Sequence, residues 1–522
     1  ESKESGIKDG IIKKKSDINS DCNTLEKVEK QVNYMEILKH IIPLICLLTI
    51  HSDETNFVKM YKWIEKNDNI HDILINQTKS WWGKNIDLFV IEEFINVYIK
   101  YMKNDKETNQ IIRTVKELFL KNIDNSKELS KLIDKYLIPQ ELEKKNNAEV
   151  STPHKLRQEM LDKIPKKFWK KEHKVFEPCS GKGGFIVDII DRFMDGLKKK
   201  YPDKKERYKV IVEECLYFSD VNPTNIFICK LLVDPNNKYK LNYNKGDTLK
   251  LDIMKKWKID KFDAVIGNPP YNSSGNVGTG NTLWQEFTKQ ALNNWIKSNK
   301  YLLFVHPSGW RKPNTKRGKF YGLYELMTKD NQMLYLSIHG IKDGQQTFRC
   351  GTRYDWYLIE KKKRYKNTSI NDENNNKLSI NMSDYNWIPN YNIKTIKKLL
   401  ATENEDKCNI IQSMSAYEPR KKWMSKTKNK EYKYSCIHST PKSGTRYMYS
   451  KINNNGHFGI SKVIFGDSGI NNPIIDIDGK YGMTQHSMAI KINNEKEGYL
   501  ISKCLKSNNF KDIIESCLYS SY

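Results

Sequence analysis

The 522-residue sequence predicts an α/β domain with a mainly parallel sheet, set between a helical N-terminal region and an α+β C-terminal region. Three observations predict it. From Lys174 onward, short apolar runs alternate with longer stretches of helical periodicity, as repeated β-α-β units require. Before that, from Asn23 to about Lys145, apolar residues recur at helical spacing with few glycines. After about Asn386 come short mixed segments with Gly and Pro turns and many Lys and Tyr residues. Domains are therefore expected over residues 1–145, 146–384 and 385–522, which suits a prior of roughly 150 residues per domain.

In the first region VEKQVNYMEILKHI, LFVIEEFINVYIKYM and IIRTVKELFLKNI read as helices. The apolar run HIIPLICLLTI, His40 to Ile50, is too short to span a bilayer and carries Pro43, so it reads as a buried helix. EKKNNAEVST reads as a linker. In the second region KVFEPC, CLYFSDV, FDAVIGN and YLLFVHP read as strands, with GGFIVDIIDRFMDGL, NPTNIFICKLL and TLWQEFTKQALNNWI as the helices between them. MLYLSIHGI and GTRYDWYLIEKKK add two strands, and the polar stretch NTSINDENNNKLSINMSD closes the domain. Ligands of such a sheet bind beyond the carboxyl ends of its strands. The last residues, IIESCLYSSY, lack a clear cap, as expected of a truncated chain.

Lys and Arg total 89 against 63 Asp and Glu, so the formal net charge is +26. That balance favours a polyanionic partner such as nucleic acid, although a solvated Lys- and Asn-rich surface would give the same count. Ten cysteines occur without a C-x-x-C pair, so neither a disulfide framework nor a zinc module is indicated and no metal is expected. An intracellular, reduced protein is expected, because ESKESGIKDGIIKKK lacks the apolar core of an export signal and no membrane anchor is evident.

Gly181, Gly183 and Gly184 in KVFEPCSGKGGFIVDII lie between a strand and a helix, where glycine lets a backbone approach a ligand and the helix start offers free amides. Tight-turn chemistry alone would explain them equally. The stretch differs from G-x-G-x-x-G and lacks the phosphate-loop ending G-K-[ST], so phosphate binding is not its best use. Asp220 ends the next strand and could accept from two ribose hydroxyls, or simply cap the helix at NPTN. Asp247, in GDTL, could accept from an adenine amino group. A glycine turn, a ribose acid and an adenine acid on successive strand ends describe a nucleoside cofactor without phosphates, and S-adenosylmethionine fits.

FDAVIGN runs directly into the corner Asn268, Pro269, Pro270, Tyr271. An amino nitrogen conjugated to a base or an amide is a poor nucleophile, so methylating it needs acceptors that hold its hydrogens and steer its lone pair at the methyl. The Asn268 side-chain oxygen and the Pro269 carbonyl could be those acceptors. Consecutive prolines stiffen the corner. Tyr271 could stack on the ring bearing the amine. Standing alone, the four residues would read as a Pro-Pro turn capped by an aromatic.

Together, the glycine turn and the Asn-Pro-Pro-Tyr corner resemble the adenine-N6 DNA methyltransferases, and the motif order resembles their gamma class. The resemblance covers about Val150 to Lys363 and implies a class I methyltransferase fold with a seven-stranded, mostly parallel sheet. STPHKLRQEM is similar to the family motif that places Thr152 and Pro153 beside the cofactor's methionine part. FEPCSGKGGF is similar to its first motif, which implies Glu177 toward the methionine amino group with Pro178 and Cys179 alongside; Lys182 stands where the family more often has a small residue. Val221 and Thr248, next to the two acids, complete the implied cofactor set. The charged stretch DGLKKKYPDKKERYK lengthens the path to Asp220 beyond the usual spacing of about 20 residues. Phe348 could stack on the other face of a flipped base, or be a core aromatic.

Double-stranded DNA is the partner the resemblance implies, with restriction-modification as a setting and a restriction or specificity subunit as a further partner. Between Arg420 and Lys451 ten cations, among them Lys421, Lys422, Lys426 and Arg446, face the single acid Glu431, with Trp423 and four tyrosines interleaved. Phosphates are held by such cations and base edges by such neighbours, although a solvated Lys-rich face has the same look. The same corner occurs in methyltransferases acting on ribosomal RNA and on release-factor glutamine; the size of the flanking regions disfavours the glutamine branch and leaves RNA open. A regulatory subunit with a decayed catalytic domain is opposed by the intact corner. The N-terminal region shows no nuclease P-D…(D/E)-x-K pattern and reads as helical support.

Overall fold

Apolar stripes on short helices need a partner, and in the N-terminal region they find each other. The computed structural model describes residues 34–82, 96, 106–137 and 150–519, except 273–281, 314–315, 317, 403, 406, 413–414, 455–456 and 468, together with 7–8 and 11–12. All of the expected helix LFVIEEFINVYIKYM but Asn96, and most of the linker EKKNNAEVST, lie outside the described residues. Helices α1 (Tyr34–Leu48), α2 (Phe57–Glu65), α3 (Asp68–Trp82), α4 (Lys106–Lys121) and α5 (Ser126–Tyr136) bury one common face, and α6 (His154–Leu161) follows them. As the apolar run predicts, α1 keeps Pro43 inside and buries Ile41, Leu44, Ile45 and Leu47 completely. Asn56 and Asn125 cap α2 and α5 by accepting first-turn N–H groups. The same core takes in Val187 of α7 (Gly184–Gly196) and Ile228, Leu231 and Leu232 of α8 (Pro223–Val233), so the helical region packs onto the sheet domain. Contacts divide the chain after Asn386 into two units.

The sheet of the first unit holds β1 (Val175–Glu177), β2 (Leu216–Asp220), β3 (Asn242–Lys245), β4 (Phe262–Gly267), β5 (Ile296–Pro307), β6 (Gln332–His339), β7 (Tyr354–Glu360), β8 (Thr368–Asn371) and β9 (Lys377–Ile380). Their order is β3-β2-β1-β4-β5-β7-β6-β8-β9. The pairings from β3 to β5 and of β6 with β8 are parallel, whereas β7 runs antiparallel to β5 and β6 and β9 to β8. β1, β2 and β4 are buried along their whole length, as strands covered on both faces are. The chain moves outward from β1 to β3 and then restarts at β4 in the opposite direction, which opens a crevice at the carboxyl ends of β1 and β4.

Nine strands replace the expected seven. The polar stretch expected to close the domain instead forms the hairpin β8–β9, because Asp372 accepts the N–H groups of Asn374 and Asn376 and Asn375 takes a positive φ of 63°. The segment TLWQEFTKQALNNWI is helical only as α9 (Trp284–Gln290) and loosens into a π turn over Ala291–Trp295 before β5.

The second unit carries β10 (Ile410–Gln412), β11 (Met424–Ser425), β12 (Tyr434–Ser439), β13 (Arg446–Ser450), β14 (Lys462–Gly466), β15 (Gly469–Asp476), β16 (Gly482–Met483) and β17 (Ser487–Lys491). They form two four-stranded sheets, β10-β17-β14-β15 and β11-β13-β12-β16. Two helices, Glu495–Lys506 and Asn508–Ser516, follow them. No helix among the described residues is long and apolar enough to cross a membrane.

One buried ion pair ties the far side of the large sheet together. Asp355 Oδ2 in β7 accepts from Trp310 Nε1 at 2.9 Å and from Arg311 Nε at 2.7 Å, and all three side chains are buried. Removing the acid takes the carboxylate from a buried guanidinium and from the Trp310 N–H, so Asp355→Ala is expected to cost about 3–5 kcal/mol in chemical denaturation. A loss below about 1 kcal/mol, the scale of a surface pair, would contradict that reading.

Candidate active site

Between β1 and α7 the chain turns on Ser180–Gly183, and the glycines serve geometry. Gly183 has φ 81° as the residue before α7, and a Cβ on Gly184 would come within 2.6 Å of the Arg157 guanidinium. This turn borders a cavity of about 300 Å³ at the carboxyl ends of β1 and β4. Of the residues singled out in the sequence, Thr152, Pro153, Glu177, Cys179, Gly181, Asn268 and Phe348 line it. Asp134 and Leu137 from the end of α5 line it too, so the helical region supplies part of the wall. Lys182, the departure from the family pattern, donates through Nζ to the Leu137 carbonyl, which explains a long cation at this position.

At the end of β4, the Asn268 amide is held in one orientation. Its Nδ2 donates to the Val150 carbonyl at 3.0 Å and to Thr152 Oγ1 at 3.1 Å. A carbonyl can only accept, so this pairing fixes which end of the amide is nitrogen. The opposite end, Oδ1, is buried and makes no hydrogen bond within the chain. Tyr271, three residues on, likewise has a buried hydroxyl with no well-aligned hydrogen bond, and the group nearest to serving it is the Asn268 side chain. Its ring meets Phe348 edge to face, with centroids 6.4 Å apart and planes at 81°. A planar base can lie flat between these rings only if one of them turns.

The acids of the site fall into two kinds. Asp188 of α7 is neutralised: Arg157 Nε contacts its Oδ2 at 2.6 Å, and Arg157 Nη1 donates to the Thr152 carbonyl at 2.5 Å. Glu177 lies 2 % exposed with Oε2 unpartnered, and burial raises its carboxyl well above the usual range, opposed by Arg157 and reinforced by Asp220 and Asp188. Leaving a buried carboxylate without a partner is costly, so the position suits a cationic ligand group. Asp220, expected as a ribose acid or a cap, is engaged within the chain. Its Oδ2 accepts from Gly181 N and its Oδ1 from Asn222 N, both at 2.8 Å, so it fixes the glycine turn, and each oxygen retains acceptor capacity.

Other expected residues stand apart from the cavity. Val221 is 67 % exposed. Asp247 caps the turn Thr248–Lys250 through Leu249 N and pairs with Lys250. Thr248 is buried beneath the turn and donates to the Pro178 carbonyl, a structural tie. Pro269 and Pro270 carry the corner between Asn268 and Tyr271. In the second unit Lys422, Lys426 and Arg446 are exposed and Lys421 is half-buried, with its Nζ 5.7 Å from the centre of the Trp423 ring. Trp423 itself packs with Tyr417 and Met424 and donates to the Ala416 carbonyl, so its ring is largely a core element. Sequence reasoning passed over Arg157 and Asp188, although a cation or an acid within an otherwise apolar helix face is itself a signal of a buried pair.

Titration of Asp220 gives a test of the turn. Burial pushes its carboxyl up to about 6, against the pull of the Asn222 and Gly181 N–H groups. The unfolded chain releases that proton near pH 3.9, so between about 4 and 6 the folded state binds more protons and stability falls as pH rises. Asp220→Asn should flatten this limb in denaturant titrations across that window; an unchanged limb would contradict the assignment.

Residues 132–306 match the sequence profile of the N-6 DNA methylase family. No curated protein sequence matches the chain. Among solved structures, a type IIL restriction-modification enzyme, MmeI, in complex with DNA is similar over 93 % of this chain and 82 % of its own, at 12 % identity and a TM-score of 0.50. A modification subunit of a type I restriction enzyme from Vibrio vulnificus YJ016 matches 58 % of this chain at 13 % identity and a TM-score of 0.37, and the chain spans 59 % of that subunit's length. A type I restriction-modification methyltransferase subunit from Streptococcus thermophilus matches 67 % of this chain and 74 % of its own, at 14 % identity and a TM-score of 0.38. The match to the N-6 DNA methylase family thus covers the segment that holds the glycine turn and the Asn268 corner, on an α/β sheet of the kind that class I methyltransferases have.

Proposed function

We propose that the chain transfers a methyl group from S-adenosylmethionine to the exocyclic amino group of adenine in DNA. The Asn268 amide carries the proposal: both its N–H groups are spent on Val150 and Thr152, which leaves a buried, unpartnered oxygen at the strand end. An amino hydrogen is what such an acceptor lacks. The cofactor supplies a sulfonium-bound methyl group, and Glu177, Thr152 and Pro153 are the residues proposed to hold its methionine end. Asn268 Oδ1 and the Pro269 carbonyl then hold the two amino hydrogens, which directs the nitrogen lone pair toward the methyl. Preorganisation of this kind lowers the barrier by removing rotational freedom before reaction. Tyr271 stacks on the base, a contact worth roughly 1–3 kcal/mol. After transfer the nitrogen loses its extra proton to water, so no general base is assigned.

A paired adenine must leave the stack to reach this corner, and the duplex must be gripped while it does. The second unit supports that role through Lys421, Lys422, Lys426 and Arg446. The MmeI likeness, a restriction-modification enzyme in complex with DNA, supports the same setting, with a restriction or specificity subunit as a further partner.

Asn268→Ala is expected to lower kcat by about 100-fold or more, with a much smaller change in cofactor affinity by calorimetry. Turnover at the wild-type rate would remove Asn268 from the mechanism. Truncating Lys421, Lys422 and Lys426 together should weaken DNA binding and reduce the slope of log K against log salt by about 0.9 per lost phosphate contact. An unchanged slope would move the DNA surface elsewhere.

A further inference from the structure

Phe348 is the last residue of α10 (Ile341–Phe348), a helix that lies beyond the segment matched to the family. Three observations show how firmly α10 is held. Asp343 accepts from Thr347 Oγ1 at 2.7 Å and from the Tyr354 hydroxyl at 3.2 Å through Oδ1, and its Oδ2 lies 2.5 Å from His339 Nδ1. His339 Nε2 in turn lies 2.9 Å from Ser337 Oγ, and the His339 ring stacks on Tyr354 at 4.4 Å with planes 4° apart. Gly344 brings the helix against the next segment so closely that a Cβ there would sit 2.1 Å from the Thr352 carbonyl oxygen.

The chain of contacts leads to the proposed base pocket. Tyr354 touches Phe348 edge to face at 4.8 Å, and Phe348 faces Tyr271 at 6.4 Å. Thr347, Phe348 and Arg349 line the cavity. One carboxylate thus joins β6, through His339, to α10, through Thr347, and to β7, through Tyr354. The hydrogen bond with His339, helped by those from Thr347 and Tyr354, holds that carboxyl down at about 2 against its partial burial, so it stays ionised and accepting at neutral pH.

We propose that Asp343 is a positioning residue of the methyl-transfer reaction: by pinning the end of α10 it sets Phe348 as the wall opposite Tyr271, against which the extruded adenine is held. This rests on the DNA adenine reading above. Asp343 touches neither substrate nor cofactor; it acts through Phe348.

A double-mutant cycle tests the link, using the full chain and duplex DNA that the wild-type protein methylates. Asp343→Ala should lower kcat/KM for DNA by about tenfold with cofactor affinity within about twofold of wild type, and should cost less than about twofold when added to Phe348→Ala. Asp343→Asn, which keeps an acceptor for Thr347 and Tyr354, should recover most of the loss and guards against a variant that merely unfolds. Equal tenfold losses in both backgrounds, or no loss in either, would overturn the positioning role. A Phe348→Ala variant as active as wild type would overturn the wall itself, and a wild-type chain that methylates no DNA would overturn the functional reading and this inference with it.

Discussion

The site depends on one side-chain amide that is tied at one end and open at the other. Asn268 could rotate to present either end of its amide to the cavity. The Val150 carbonyl and Thr152 Oγ1 remove that choice, because both take its nitrogen. This interaction spans 116 and 118 residues of sequence, which is why STP ahead of the first strand and NPPY after the fourth must fold against each other before the amide is oriented. Proline stiffness at 269 and 270 then keeps the corner from relaxing into helix.

Around that amide the charges are sorted by partner. Arg157 spends itself on Asp188 and the Thr152 carbonyl, so one side chain both neutralises a buried acid and braces the loop that orients Asn268. Glu177 is left without such a partner. A site with one compensated and one uncompensated acid favours a ligand bearing a positive group at one end, which S-adenosylmethionine has. Lys182 works from the other side, binding the end of the helical region to the glycine turn. The N-terminal helices therefore contribute to the cavity rather than only supporting the sheet.

Much of this was legible because buried parallel strands advertise themselves. KVFEPC, CLYFSDV, FDAVIGN and YLLFVHP are apolar runs ending in polar corners, and the structure makes each a strand whose carboxyl end faces the crevice. β3 was legible only as the segment whose end carries Asp247, since LNYNK is a polar edge with no alternation. The hairpin β8–β9 was hidden for the same reason: its strands are short and its turn is built from Asp372 and the asparagines that resemble linker. Which end of the Asn268 amide faces the cavity, the use of Asp220 by the glycine turn, and the Asp343 network are products of long-range packing. No spacing rule carries them.

Incubating the wild-type chain with radiolabelled S-adenosylmethionine and unmethylated genomic DNA, with total RNA in parallel, tests the acceptor role of the corner most directly. Digestion to nucleosides should place the label in N6-methyladenine from DNA. Label confined to RNA would keep the amine chemistry and contradict the DNA assignment, and no label in either nucleic acid, with cofactor bound, would contradict the proposed activity.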